Sequence, residues 1–382
     1  MKHIRITALA FLLGLVPVSA AWGAFYDPAL NGSQRAVAAA LDGLNASNPL
    51  RTALAGVSPT DVARTLKDLS GEAHAALTAY LMDLGYDFDQ RLSRRLSQAT
   101  APETLPESGW RGFWLQGGGS VRTLKGHDGT AASSLDGPSL NAGFDPRLGG
   151  GWLLGAALHY ASREMKVEER QSYARIASYG PALYGGKETR LGGGTLRLVL
   201  RYAHTWHELE FRRDIPALKQ NLSTFYGARS QRLSLEGAYV LPLDSELLLE
   251  PFLNLGRERL ALDEFMEDNG SAALSREREA RSLNTLLAGL RLQIPVGANT
   301  RLGGELGWRH LMGDLAPESA LRLRAGGEFH LRGSRLDAHQ AVLALHWGLR
   351  LGSSLDFGLS YNAAVGSRGQ SYGGEASLTL KW

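Results

Sequence analysis

The strongest constraint on this chain is a period-two alternation of apolar and polar residues that continues to its last residue. In an extended strand, residues two apart share a face. One face of the final strand carries Ala376, Leu378, Leu380 and Trp382, and the opposite face is polar. An edge strand of a soluble sheet can end on an aromatic residue by chance, whereas a strand that closes a membrane barrel places the ring at the lipid–water boundary.

Twelve segments after Gly109 can be laid out as strands. They lie near 112–122, 138–146, 151–163, 173–185, 194–209, 229–241, 245–260, 281–294, 299–312, 338–350, 354–364 and 373–382. Soluble antiparallel sheets also alternate, so one such segment is weak evidence. A dozen of them, with Trp or Tyr near the ends of the apolar face, predict an all-β membrane protein: a 12-stranded antiparallel outer-membrane β-barrel without an open edge.

The connections between these strands alternate in length. Short turns occur at 145–147, 242–244, 295–299 and 352–354. Long, polar and charged connections occur at 123–137, 164–172, 210–228, 261–280 and 313–337. Short turns on one rim and long loops on the other are typical of outer-membrane barrels, whose long loops face the cell exterior. The first strand therefore begins at the periplasmic rim.

Composition and the N-terminus narrow the class further. The chain has 41 basic and 38 acidic residues, lacks a basic run and lacks cysteine, which argues against nucleic acid as a partner and against disulfide or thiolate chemistry. Lys2, His3 and Arg5 precede a short apolar core that is followed by small residues. Residues 1–23 are therefore predicted to be a signal peptide, because the core is shorter than the roughly 20 residues of a spanning helix.

Residues 24–108 are predicted to form an α-helical junction and pore helix with a linker, because the period changes to a helical one from Asn31 to about Ser97. Asn31 and Gln34 have the spacing of a capping box, and Ser58 is placed as the hydroxyl cap of a second helix. The longest helical pattern opens at Ser70-Gly71-Glu72 and runs to about Leu96. The segment 98–108 is rich in Pro, Thr and Glu and is predicted to be a linker.

The longest helix has the length needed to fill a barrel. Residues 71–97 would extend about 40 Å, enough to cross a membrane barrel, although an ordinary helix in a small helical domain is the alternative. Because the linker must reach the first strand at the periplasmic rim, we expect the helix to enter the pore from the outer side. Its basic end at Arg91, Arg94 and Arg95 is expected to meet inward acids such as Glu236 or Glu250.

The charged residues and histidines on the predicted inner face indicate a polar lumen and not a catalytic site. Charged residues on the predicted inner face are best interpreted as lining a wet lumen or holding a plug helix; they are Arg197, Arg201, Glu236, Glu250, Arg291, Arg301, Glu305 and Arg309. His204 and His207 fall on opposite faces of a strand, which argues against a metal pair, and His346 is predicted to be a lumen residue. We predict no enzyme and no catalytic, cofactor-binding or metal residue, although a Ser–His–acid site is recognised by geometry and stays open.

The mature chain resembles the translocator unit of the autotransporter family of bacterial type V secretion. The stretches 34–42 and 69–74 are similar to the helical segment that this family places before its barrel. The stretches 140–145 and 154–157 are similar to its second hairpin, and the end 378–382 resembles the signal recognised by the barrel-assembly machinery. The order of these stretches along the chain carries the resemblance.

The resemblance implies a barrel at 109–382 with a helix in its pore, and export of an N-terminal passenger to the cell surface. Outer-membrane lipid, the barrel-assembly machinery and periplasmic chaperones are the implied partners of a monomeric barrel. Family passengers commonly have several hundred residues, whereas here the junction helices follow the leader almost at once. We therefore expect a very short or lost passenger without adhesin, protease or esterase activity. An outer-membrane barrel enzyme of lipase or protease type and a simple channel are the alternatives.

Overall fold

The alternating segments form a closed antiparallel barrel. The computed structural model describes residues 25, 27, 29–99, 112–127, 129–243 and 247–382. The predicted signal peptide at 1–23 and most of the predicted linker at 98–108 lie outside these residues. None of the helices in the described part of the chain is both long and apolar enough to cross a membrane.

All twelve predicted strands are confirmed. They are β1 Gly112–Leu124, β2 Ser133–Phe144, β3 Trp152–Val167, β4 Ser172–Leu191, β5 Gly194–Ile215, β6 Gln220–Pro242, β7 Leu248–Leu262, β8 Glu279–Pro295, β9 Thr300–Gly313, β10 His339–Leu351, β11 Leu355–Gly366 and β12 Gly369–Lys381. Each strand pairs with its neighbours in the chain, and β1 pairs with β12 from Gly112–Lys381 to Leu124–Gly369. This last pairing closes the barrel, so the barrel itself has no free edge.

The prediction of long loops at 123–137, 164–172 and 210–228 was wrong. β5 continues to Ile215 and β6 begins at Gln220, so most of that predicted loop is strand. The reason lies in the side-chain parity of β5. Up to Trp206 the large apolar residues face outward and are exposed, whereas Leu209 and Phe211 face inward and are fully buried. The alternation thus continues beyond Trp206 with its apolar face reversed, and the predicted strand ended where the pattern changed sides.

The same reversal recurs around the barrel and builds a second core at one end of it. Strand ends with inward apolar residues form an outer collar, which we define as residues 165–176, 209–228 and 260–283. A small four-stranded sheet supplements it, with strands at Phe265–Met266, Leu274–Arg276, Glu318–Leu323 and Glu328–Arg332. The rim with the collar is the collar rim, and the opposite one is the short-turn rim.

Three helices close the collar from above, and we call them the cap: α1 Gly32–Asp42, α2 Pro49–Ala55 and α3 Pro59–Leu69. Their apolar faces are fully buried in one core with the collar. The capping box of α1 is confirmed, because Asn31 and Gln34 exchange side-chain hydrogen bonds with each other's backbone N–H groups. The predicted hydroxyl cap of α3 was wrong. Ser58 makes no capping bond, and its Oγ lies 2.8 Å from Thr60 Oγ1 instead.

The fourth helix, α4 Glu72–Ala99, begins in this core and descends into the barrel. Gly71 precedes it with φ of 65°, a conformation that favours glycine. Gly85 lies inside the helix, where glycine usually lowers stability, and close packing explains its presence. A Cβ placed there would lie 2.7 Å from Cδ of Glu258 on β7. The missing side chain lets the helix approach the barrel wall.

Candidate functional site

The candidate site is the barrel lumen, which α4 occupies. Near its start, the Glu72 carboxylate accepts a hydrogen bond from the Ala131 backbone N–H and lies 2.9 Å from Arg170 Nη2, both at the collar rim. Near its end, Arg95 lies 2.9 Å from Asp145 at the short-turn rim. The helix therefore runs from the collar rim to the short-turn rim, which is the direction expected relative to the two rims.

Three aspartates in the middle of α4 bind arginines of the barrel wall. Asp83 forms ion pairs with Arg309 and, at 2.6 Å, with Arg122. Asp87 lies 2.8 Å from the same Arg122. These pairs join one turn of the helix to β1 and to β9, on two parts of the wall.

The third aspartate repeats this arrangement on another side of the lumen. Asp89 lies 2.7 Å from Arg201 of β5 and 3.4 Å from Arg232 of β6. The guanidinium of Arg232 also lies 5.5 Å from the ring centre of Tyr86, and that of Arg309 lies 3.5 Å from it. The helix is thus held by ion pairs and by cation–π contacts.

A second set of contacts lies below the aspartates and centres on Arg291. Its guanidinium lies 2.8 Å from Glu305, 2.9 Å from Glu236 and 2.7 Å from Glu250. Hydroxyls of the helix complete the network. Ser93 donates to Glu236 at 2.5 Å, and Ser97 donates to Glu250 at 2.8 Å.

The structure confirms the predicted inward charges and corrects the partners of the basic helix end. Arg197, Arg201, Glu236, Glu250, Arg291, Glu305 and Arg309 are all buried, and Arg301 is half-buried. Arg91 pairs with Glu375 at 3.1 Å, and Arg95 pairs with Asp145, not with Glu236 or Glu250 as we expected. The rotation of the helix explains this result, because it turns Ser93 and Ser97 toward those two glutamates. Arg94 lines a cavity of about 150 Å³ near the short-turn rim, together with Glu305 and His346.

Sequence reasoning missed the acidic residues of α4. We concentrated on its basic end, although Asp83, Asp87 and Asp89 are charges within a helix that was expected to be enclosed. A buried charge needs a partner. Inward arginines on the strands were already predicted. The acids on the enclosed helix could therefore have been identified as the partners of these arginines.

A separate polar cluster lies where α4 enters the collar. His74 is fully buried, with Nε2 3.1 Å from Glu267 Oε1, and it stacks between Phe211 and Phe265. Burial lowers the pKa of His74 to about 4, so the ring is neutral at neutral pH. Burial opposes ionisation of Glu267, but attraction to Arg213 and hydrogen bonds from His74 and Arg213 outweigh it and lower the pKa of Glu267 to about 2.

The histidines lie on the strand faces that the alternation predicted. His207 is buried and its Nδ1 lies 2.8 Å from Ser178 Oγ, whereas His204 lies beside Trp206 on the outer face. His346 lies 2.9 Å from Ser360 Oγ in the lumen. Among the residues that the structure describes, no three His, Cys, Asp or Glu side chains are grouped to hold a metal ion. The absence of catalytic, cofactor and metal residues stays a prediction.

Comparisons with known proteins agree with this architecture. An extracellular serine protease of Serratia marcescens is 25% identical over 346 residues, which are 88% of this chain and 32% of that protein. The chain thus spans about a third of the length of the curated relatives it matches.

Solved structures with a similar fold include two autotransporter domains. The translocator domain of NalP from Neisseria meningitidis has a TM-score of 0.59 at 16% identity, covering 78% of this chain and 98% of that one. The transport unit of AIDA-I from Escherichia coli has a TM-score of 0.57 at 14% identity, covering 81% and 98%. Residues 113–362, more than half of the chain, match the family model "Autotransporter beta-domain". The chain therefore belongs to the autotransporter beta-domain family, and it is an outer-membrane translocator barrel.

Proposed function

We propose that this translocator carries its own N-terminal part to the cell surface and retains residues 32–69 there as a folded cap. The observation that carries the proposal is the course of α4, which leads from the short-turn rim through the lumen to the cap. The two connections that remain long, 263–278 and 314–338, lie at the collar rim. Long connections face the cell exterior in such barrels, so the collar rim is the outer one.

Contacts between cap and collar support retention. Ser33 Oγ donates to the Gly129 carbonyl at 3.3 Å, and Asn48 Nδ2 donates to the Ala325 carbonyl at 2.9 Å. Arg213 Nη1 donates to the Asp68 carbonyl at 2.8 Å. Each bond joins the helical segment to a different part of the collar rim. A released passenger would have to break these bonds and expose the apolar faces of the cap.

The partners and the absence of catalysis belong to the same proposal. Outer-membrane lipid, the barrel-assembly machinery and periplasmic chaperones are the partners of a monomeric barrel of this kind. The serine-protease name belongs to relatives of which this chain matches 32%, and the match covers 88% of this chain. We propose that the chain acts in translocation and not as an enzyme. The helix in the lumen and the cap above it disfavour a simple open channel.

Surface labelling tests the placement of the cap. The sequence contains no cysteine, so a single introduced thiol reports on one position. Thr52 is exposed on the cap, and Ser353 is exposed in the turn between β10 and β11. With a membrane-impermeant maleimide on intact cells, we expect Thr52→Cys to be labelled and Ser353→Cys to be labelled only after permeabilisation.

The reverse pattern would place the cap in the periplasm and would refute the proposal. Loss of the Thr52→Cys label from the cells into the medium, with the barrel left behind, would show release of the cap and not retention. Heat-modifiable migration of both variants controls for assembly.

A further inference from the structure

A cluster of outward-facing arginines lies directly above the lipid-facing surface of β7. Leu253 and Leu255 are exposed on the outer face of this strand, while Asn254 and Glu258 on the other face are buried. By the same parity, Arg257 and Arg259 point outward, and both are exposed. Arg229 is also exposed, on the neighbouring strand β6.

The aromatic residues on either side locate this cluster relative to the membrane. Trp206 on β5 and Trp308 on β9 are both exposed and mark the outer lipid–water boundary. Through the paired strands, Trp206 is in register with Ala261 of β7, and Trp308 is in register with Leu253. β7 is the middle one of these five strands. Since Arg257 lies midway between residues 253 and 261, its side chain lies at the boundary.

Arg257 and Arg259 differ from other exposed arginines of the collar in their acidic partners. Two other exposed arginines of the collar do lie beside an acid, Arg212 at 2.8 Å and Arg175 at 3.9 Å from Glu210. Within the part of the chain that the structure describes, neither Arg257 nor Arg259 has a carboxylate partner. Arg229 has only a long contact of 3.9 Å with Asp263.

The cross-strand neighbours of the two arginines are uncharged. Arg257 is opposite Leu233 and Asn284, and Arg259 is opposite Gln231 and Ser282. Gln231 and His204 add polar groups to the same surface, 3.4 Å apart. The patch therefore offers guanidinium and amide donors at the level of lipid headgroups, with no acid among its nearest cross-strand neighbours.

We propose that Arg257 and Arg259, assisted by Arg229, bind the phosphate group of an anionic lipid headgroup in the outer leaflet. Guanidinium groups bind phosphate oxygens in a bidentate manner. The two arginines are two residues apart on one strand, about 7 Å, so both can reach phosphates of one headgroup. A lipid is favoured over free phosphate because exposed leucines for its acyl chains lie directly below.

Equilibrium binding of diphosphoryl lipid A to the purified full chain, folded in zwitterionic micelles, tests the proposal. We expect Arg257→Gln/Arg259→Gln to weaken binding about 25-fold, because each basic residue near an anionic surface contributes about a fivefold factor. Arg257→Lys/Arg259→Lys should keep part of the affinity. The matched control is Arg175→Gln/Arg212→Gln, which removes the same charge from exposed collar positions and should bind like the parent.

Equal weakening by both pairs of substitutions would overturn the proposal, because it would show a general charge effect. Equal binding of a dephosphorylated analogue would also overturn it. If inorganic phosphate at millimolar concentration displaces the lipid, the site is one for free phosphate and the lipid assignment is wrong.

Discussion

Asp89 of the pore helix accepts a hydrogen bond of 2.7 Å from Nε of Arg201 on β5, and both side chains are buried. Ser234 donates to the same carboxylate at 2.5 Å. This single acid thus joins the helix to two strands of the wall. Attraction between such buried charges offsets their desolvation only while every partner is present.

Removing this acid should destabilise the whole barrel. Asp89→Ala leaves Arg201 and Arg232 without their helix partner, and we expect a loss of about 3 kcal/mol in the free energy of unfolding. Urea unfolding, followed by heat-modifiable migration, measures it. The control is Glu164→Gln at an exposed ion pair, which should change stability by less than about 1 kcal/mol. Similar losses in both variants would show that the lumen pairs do not hold the helix.

Neighbouring residues on β9 should respond in opposite ways to substitution. Leu306 is 64% exposed to lipid, so Leu306→Arg should cost roughly 2–4 kcal/mol if it lies near the bilayer midplane. Glu305→Gln should cost much less, because Arg291 keeps Glu236 and Glu250 as partners. Unfolding in lipid vesicles compares them. A larger loss for Glu305→Gln would contradict the assignment of the two faces.

The C-terminal ring should matter for assembly. Trp382 is 62% exposed, and its ring centre lies 6.1 Å from that of Phe144 at the short-turn rim. Trp382→Ala, or removal of the last three residues, should lower the amount of folded barrel in the outer membrane. Heat-modifiable migration quantifies this amount. Trp206→Ala is the control at the opposite boundary and should assemble more fully. Normal assembly of the truncated chain would show that the terminus is dispensable.

The collar should loosen in acid. The pKa of His74 is lowered from 6.5 to about 4 in the folded state, so the unfolded state binds more protons between these values. The stability from the neutral ring is therefore complete above about pH 6.5 and is lost as the pH falls toward 4. Glu267, with a pKa lowered from 4.5 to about 2, adds a second loss between those values.

Hydrogen exchange of the cap amides between pH 7 and 4, corrected for intrinsic rates, measures this effect. In His74→Asn the loss of protection between pH 6.5 and 4 should disappear, whereas the exposed control His330→Asn should behave like the parent. An unchanged pH profile in His74→Asn would assign the effect to other groups.

Removal of the helices should open the pore. Deletion of residues 31–97 leaves the strands but removes the cap and α4 from the lumen. We expect a larger and less gated conductance in planar bilayers than for the full chain. A deletion of residues 31–69 alone should give a smaller increase, because α4 keeps its ion pairs with the wall. An unchanged conductance after the larger deletion would mean that another segment blocks the pore.

The barrel could be predicted from sequence because each lipid-facing strand shows the apolar–polar alternation within its own residues. The strand number, the inward charges and the pore helix could all be derived from periodicity and length. The partners of the helix side chains could not be predicted in this way. The rotation of the helix about its axis decides whether Arg91 or Ser93 faces Glu236, and no sequence pattern fixes that rotation. The collar was missed because Leu209 and Phe211 are apolar residues on the inward face, where a membrane strand carries polar residues. Only a second apolar core, inside the collar, accommodates them.

The reversal of the apolar face between Trp206 and Leu209 also fixes the position of β5 along the membrane normal. Below it the strand is fixed by lipid, and above it the same strand is fixed by the cap, so β5 cannot slide along the membrane normal without exposing one surface or the other. Pulling α4 back toward the short-turn rim would drag Leu66 and Leu69 out of the collar. Each buried leucine resists by about 2 kcal/mol. Under the proposed placement of the cap at the cell surface, folding of the cap would therefore oppose return of the chain through the lumen.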